Sequence, residues 1–200
     1  MTKYTDLSSL ISSRICHDLI SPLGAIGNGV ELLSLSATAA GPELALISES
    51  VLAANARIRF YRVAFGAAAA DQRIGRPEVL SVLADITRGG RIAVDWQAQG
   101  DQPRGEVKLA FLLIQCLETA MPFGGRIAVT LDGKGWHLRG TAARTKVNPA
   151  LWDVLSNPAA ALEVSPAQVQ FALVPEEVRR LGRSLSVELG EGDIRIGVLF

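Results

Sequence analysis

Apolar residues recur every three or four positions near the start of this chain: Ile11, Ile15, Leu19, Leu23, Ile26, Val30 and Leu33. That spacing is the stripe of an amphipathic helix, and it predicts one from about Asp6 to Ser36. Gly41-Pro42 then supplies a turn with proline at a first helical position. Beyond it Leu44, Ile47, Val51, Ala54, Ile58, Tyr61 and Phe65 alternate in steps of three and four, a heptad seam about twenty residues long. A short connection forces the two helices antiparallel. Two helices cannot bury both rows together with Leu32, Leu52 and Val63, so the pattern predicts a second copy completing a four-helix bundle.

Gly66-Ala67-Ala68-Ala69-Ala70 and Gly75-Arg76-Pro77 read as a hinge, with a helical hairpin over 1–72 and a second domain over 73–200. There the period changes. Pro77 to Ile86 is a short helix, Arg91 to Gln97 a strand, and Glu106 to Met121 a strongly apolar helix. Arg126 to Asp132 and Trp136 to Thr141 are strands around Asp132-Gly133-Lys134-Gly135, a hairpin signal. Pro149 to Ser156 is helical, as is Pro166 to Leu181, with Pro175 a candidate break. Leu185 to Leu189 and Ile194 to Leu199 form a last hairpin across Gly190-Glu191-Gly192-Asp193. The whole is α+β.

Composition narrows the function classes. The 200 residues are 48% hydrophobic, enough for a real core, and the formal net charge of zero gives no electrostatic footprint for nucleic acid. No apolar run is long enough to span a membrane, and the N-terminus lacks the charged-then-apolar pattern of a signal peptide. Cys16 and Cys116 lie far apart in helical patterns, which favours reduced thiols and a cytoplasmic location.

His17 stands out. At roughly 100° per residue it lies about 200° from Ile15 and from Leu19, so it points away from the stripe. Its face carries Ser13, Arg14, Ser21, Gly24 and Asn28, all polar or small. Pro22 follows one turn later, and a proline inside a helix costs about 3 kcal/mol because the carbonyl four residues back, that of Asp18, loses its donor. A bend there would open room beside the imidazole. Against this stands the plain reading that a lone surface histidine has no role.

His17-Asp18-Leu19-Ile20-Ser21-Pro22-Leu23 resembles the H-box of two-component histidine kinases. The longer run through Gly24-Ala25-Ile26-Gly27-Asn28-Gly29-Val30-Glu31-Leu32-Leu33, with Arg59-Phe60-Tyr61-Arg62-Val63-Ala64-Phe65-Gly66, is similar to the ChpT-type histidine phosphotransferases of bacterial phosphorelays. The resemblance implies a phosphoacceptor role for His17, with Asp18 polarising the imidazole or orienting the attack. Ser21 and Arg14 could touch the phosphoryl group or the partner, and Gly24, Gly27 and Asn28 leave a shallow surface for a partner helix. With the turn centred near Thr38, Arg59, Phe60 and Arg62 fall level with His17. The two arginines either neutralise an incoming phosphoryl group or form a solvated basic face.

The second domain resembles a reduced histidine-kinase ATP-binding domain, and its departures from that pattern matter. Gln115 and Thr119 stand where the kinases carry asparagines for magnesium and triphosphate. Trp136-His137-Leu138-Arg139-Gly140 and Thr141-Ala142-Ala143-Arg144 offer no adenine-binding aspartate, and Val164-Ser165-Pro166-Ala167-Gln168-Val169-Gln170 replaces a glycine-rich phosphate loop. No ATP binding is therefore expected. Asp132-Gly133-Lys134-Gly135 lacks a phosphate-loop ending, and His137 has no second ligand at metal spacing.

The expectation is a homodimeric histidine phosphotransferase. It would shuttle a phosphoryl group between the receiver domains of a hybrid histidine kinase and of response regulators. It needs no cofactor or metal of its own, with Mg2+ supplied by the receiver. Two alternatives stay open: an ATP-dependent kinase core with divergent boxes, and a non-catalytic adaptor for response regulators.

Overall fold

The computed structural model describes residues 7–35, 41–157 and 165–200, without the side chains of 7–11, 13, 14, 18 and 156. The chain forms two compact units, Met1–Ala67 and Ala68–Phe200. The first is a helical hairpin of α1 (Leu7–Leu35) and α2 (Pro42–Ala64). Helix α1 runs through Pro22 as one element. Gly41 caps α2 in an extended conformation and Pro42 opens it, where its missing N–H costs nothing. Glu43 in the first turn and Arg62 in the last complement the helix dipole.

The hairpin departs from the predicted seams. Of the α1 stripe Val30 is buried, whereas Ile15, Leu19, Ile26 and Leu33 are 45–54% exposed; the side chain of Ile11 lies outside the described residues. Of the α2 seam Val51 is buried, Ile47 is exposed, and the rest are half-buried. The buried residues of α2 are instead Val51, Ala56, Phe60, Val63 and Ala64. One hairpin offers a single line of helix contact, and Cys16, Gly27, Val30 and Val51 occupy it or flank it; the long apolar stripe lies to one side.

The second unit holds α3 (Arg76–Thr87), α4 (Arg104–Ala120), α5 (Pro149–Ser156) and α6 (Val169–Leu181), with a 3₁₀ turn at Pro166–Gln168. Strands β2 (Ile92–Trp96), β4 (Gly125–Asp132), β5 (Gly135–Thr141), β6 (Ser184–Gly190) and β7 (Asp193–Leu199) form a mixed sheet in the order β2-β4-β5-β7-β6. The β2–β4 pair is parallel and α4 makes its crossover; the other pairs are antiparallel. The sequence pattern did not show β1 (Arg73–Ile74) and β3 (Gln102–Pro103), a two-residue ribbon too short to carry a period. Arg104 N–H donates to Gln72 O at 2.8 Å, tying the start of α4 to that ribbon.

The core lies between one sheet face and the helices. Ile127, Val129, Trp136, Leu138, Ile194, Ile196 and Val198 alternate inward and are buried, and α4 is buried almost all round. Two acids inside this core are paired. Glu106 Oε1 accepts from Arg183 Nη2 at 2.7 Å and its Oε2 from Trp136 Nε1 at 3.1 Å, while Lys108 Nζ lies 2.7 Å from Glu177 Oε1. Helix α6 is not broken at Pro175. Phe171, Val174 and Glu177 are buried along it, and that packing offsets the roughly 3 kcal/mol cost of an internal proline. Gly182 ends α6 at φ +66, with Arg183 N–H donating to Val178 O at 2.9 Å, a left-handed cap.

Candidate functional site

Two proximities indicate the hairpin register. Cys16 is buried on α1 and feels the charge of Arg62 on α2, while a Cβ on Gly27 would sit 3.5 Å from Val51 Cγ1. The same number of residues separates Cys16 from Gly27 as separates Val51 from Arg62, so the helices stay in step between them. His17 therefore falls level with Tyr61 and beside Arg62. This moves the expected register by about two residues, half a helical turn. Arg62 gains the place next to the H-box, and Arg59 lies one turn further along, nearer the level of Leu19. Phe60, which the sequence placed at the site's level, is buried, with its ring edge-on to Tyr61 at 6.4 Å. Residues 36–40, the turn around Thr38, lie outside the described residues.

His17 is exposed while its neighbour Cys16 is 7% exposed, so the helix turns its imidazole outward and its thiol in. Burial pushes the Cys16 thiol up from its ordinary value, and the Arg62 guanidinium partly offsets this. Ser21, Pro22 and Asn28 are exposed on the following turns. A Cβ at Gly24 would meet nothing within 4 Å, so this face is open and shallow. The structure thus brings His17, Ser21, Gly24 and Asn28 onto one accessible side of α1, with Arg62 of α2 near the level of His17. The side chains of Arg14 and Asp18 lie outside the described residues. The link between Cys16 and Arg62 went unread in the sequence, because only the hairpin register reveals it.

In the second unit, Gln115 is half-buried and Thr119 is exposed, its hydroxyl held between α4 and α6. Thr119 Oγ1 donates to Gln115 O at 2.9 Å and accepts from Gln170 Nε2 of α6 at 3.1 Å. Gln115 Oε1 is buried without a hydrogen-bond partner. Pro166–Gln168 form a 3₁₀ turn leading into α6, with Ser165 Oγ 3.0 Å from Gln168 Oε1; Val164 lies outside the described residues. Asp132-Gly133-Lys134-Gly135 is the β4–β5 turn: Asp132 Oδ1 accepts from the N–H of Lys134 at 2.8 Å and of Gly135 at 3.1 Å. Those bonds, Lys134 first, hold the Asp132 carboxyl below its ordinary value. His137 Nε2 sits 3.3 Å from Asp132 Oδ2, near enough for an ion pair when protonated. Cys16 and Cys116 are both free thiols. No group of three potential metal ligands occurs among the described residues, and no described helix is long and apolar enough to cross a membrane.

Comparison with known proteins adds three findings. The family model for the histidine phosphotransferase C-terminal domain matches residues 76–193. The chain is 41% identical over 130 residues to Protein phosphotransferase ChpT of Brucella abortus (strain 2308), a match that covers 64% of this chain and 62% of that one. The alignment thus spans a little under two thirds of the relative's length. A solved structure of a bacterial phosphotransferase superposes with a TM-score of 0.70 at 29% identity, covering 99% of this chain and 98% of the other.

Proposed function

The chain belongs to the histidine phosphotransferase family, and on that premise we propose that it relays a phosphoryl group between receiver-domain aspartates through phospho-His17. One observation carries the reading: His17 stands exposed on α1 beside a small, open helix face, and Arg62 on α2 is near enough for its charge to act on the adjacent Cys16. A nitrogen of the neutral imidazole attacks the phosphorus of an aspartyl phosphate. The P–O bond to the carboxylate breaks, and the carboxylate leaves with its electron pair. The reverse step delivers the group from the phosphoramidate to the aspartate of a second receiver.

Such a transfer needs positioning and charge neutralisation more than covalent assistance. Arg62 supplies neutralising charge, and Asp18 orients the imidazole. Arg14, Ser21, Gly24 and Asn28 meet the partner, with Arg59 at the margin. Magnesium comes in the receiver's acidic pocket, and the chain itself works without ATP, in the cytoplasm. Its working division is a phosphotransfer hairpin over 1–72 and an ATPase-like domain over 73–200.

The same reading includes a dimer. Ile15, Leu19, Ile26 and Leu33 on α1 and Ile47 on α2 are 45–54% exposed in the single chain. Fully burying one such side chain contributes about 1.5–3 kcal/mol. Pairing two hairpins about a two-fold axis covers these residues and keeps both His17 faces outward.

The test uses a phosphorylated receiver domain as donor. His17→Ala should accept no labelled phosphate while its melting curve matches the unmodified protein, since the residue faces solvent. Label retained on the alanine variant would remove His17 from the role. Labelling by Mg-ATP alone would make the chain a kinase, and full regulatory output without His17 would make it an adaptor.

A further inference from the structure

Large apolar side chains stand barest where α1 ends and α2 begins. Leu35, Leu32 and Leu46 are 79%, 69% and 65% exposed, the highest values for large apolar residues among the described ones. Helix geometry separates the two on α1 from the apolar stripe. Leu35 follows His17 by about five full turns, so it faces the same way, about 27 Å further along the helix. Leu32 and Glu31, three and four residues before Leu35, lie beside it on that face. Ile26 of the stripe points about 180° away from Leu35. The two-fold pairing proposed above covers the Ile26 side and leaves Leu32 and Leu35 bare.

Charge is just as uneven. No lysine or arginine occurs between Arg14 and Arg57, while Glu31, Glu43 and Glu49 all fall inside that interval. Glu31 and Glu49 are exposed, and Glu43 lies in the first turn of α2. None of the three enters an ion pair among the described residues. At the other end of α2 the balance reverses: Arg57, Arg59 and Arg62 follow one another with no acid before Asp71. The hairpin is acidic and leucine-studded at its tip, and basic toward His17.

We propose that Glu31, Leu32 and Leu35 form a docking ridge for an amphipathic, lysine- or arginine-bearing helix of a partner protein. The unpaired carboxylates select a cationic occupant, and the leucines select an apolar one. Residues spaced three and four apart make a ridge that fits the groove of a second helix. Such a helix can carry an apolar row with cations beside it. An anionic lipid surface would be repelled by the three carboxylates, and a second hairpin tip would bring more charge of the same sign. The ridge lies about 27 Å from His17 along α1, so it stands or falls separately from the relay.

The probe is an acetylated, amidated peptide of about fifteen residues, with leucines in one helical row and lysines flanking them, titrated into the ¹⁵N-labelled full chain. Its counterpart with glutamate in place of lysine, and vesicles of phosphatidylcholine and phosphatidylglycerol, are the controls. The cationic peptide should give saturable shifts at the amides of Glu31, Leu32 and Leu35. Leu35→Ser, which removes little buried surface from the free chain, should weaken binding by about tenfold or more. Glu31→Gln should weaken it severalfold and flatten its salt dependence. Phosphoryl acceptance at His17 should stay unchanged in both variants. No saturable shift at millimolar peptide, equal binding of the glutamate counterpart, or undiminished binding by Leu35→Ser would overturn the proposal. Shifts confined to Ile15, Leu19, Ile26 and Leu33 would also overturn it by moving the peptide to the stripe, and vesicles that reproduce the peptide's shifts would make the tip a lipid contact instead.

Discussion

The two units of this chain solve the burial problem in opposite ways. The sheet unit encloses its apolar residues: α4 contributes Val107, Leu109, Phe111, Leu113, Ile114 and Leu117, each at most 1% exposed, to a core closed by one sheet face and α6. The hairpin encloses few of the residues in its long α1 stripe. Val30 is covered there, while Leu32 and Leu35 stand 69% and 79% exposed alongside Ile15, Leu19, Ile26 and Leu33. A protein tolerates that much wet apolar surface where something else covers it. The sheet unit therefore closes its own core, whereas the α1 stripe stays largely uncovered within one hairpin, on the side of the helix opposite His17.

Three substitutions break this contrast at different depths. Phe171→Ala, in the centre of the sheet unit, should cost about 3–5 kcal/mol, because the ring is fully buried and stacks edge-on against Trp152 at 5.5 Å. Denaturant melts should show that loss at every protein concentration. Ile26→Glu should cost a lone hairpin almost nothing, since the side chain is 50% exposed there, yet a charge at that point should dissociate the proposed dimer. We expect the association constant to fall by about a hundredfold or more, roughly 3 kcal/mol, read by analytical ultracentrifugation. A monomer for the unmodified protein at micromolar concentration would end the bundle reading. Val51→Glu is a blunter tool, because Val51 is buried inside the hairpin itself.

Glu106→Gln probes the sheet unit's polar core. It removes the carboxylate that Arg183 grips at 3.0 and 2.7 Å, while the amide oxygen can still accept from Trp136 Nε1. Breaking a buried pair costs about 3–5 kcal/mol when the surviving charge cannot reach water. The Arg183 side chain is 28% exposed, so a smaller loss, about 2 kcal/mol, is expected in a urea melt. A loss under about 0.5 kcal/mol would show the pair to be a surface ornament.

Most of the sheet unit was legible in the sequence because period and burial agree there. Strand alternation, two-residue turns and the long apolar run of α4 each point to one answer. Pro175 misled, since local propensity says nothing of the packing that holds Phe171 and Val174 in place. The β1–β3 ribbon is too short to carry any period. The hairpin was legible as helices and less so as a contact surface. A stripe identifies which side of a helix is apolar, and not whether that side meets its own hairpin partner or another chain. His17 was found because its exposure conflicts with the stripe, whereas its level against Arg62 depends on a turn length that no residue pattern states.

The two free thiols give the finest comparison, one in each unit. Cys116 is fully buried, and burial alone holds its thiol well above the ordinary value. Cys16 is raised too, but Arg62 pulls it back. The thiolate is the reacting species, so at pH 8 both should alkylate more slowly than a free thiol. Cys116 should react only on global unfolding, and Cys16 through local opening of the hairpin, so Cys16 should be the faster by orders of magnitude. The same shift sets a pH trend. An unfolded thiol ionises near its usual value while Cys116 in the native state keeps its proton, so this group's contribution to stability falls as pH rises past that value. Arg62→Ala then separates charge from packing. Losing the cation should raise the Cys16 thiol further and slow its alkylation severalfold, with Cys116 as the internal control and Arg62→Lys restoring the rate. Faster alkylation in Arg62→Ala would mean that the arginine holds the helices together more than it tunes the charge beside His17.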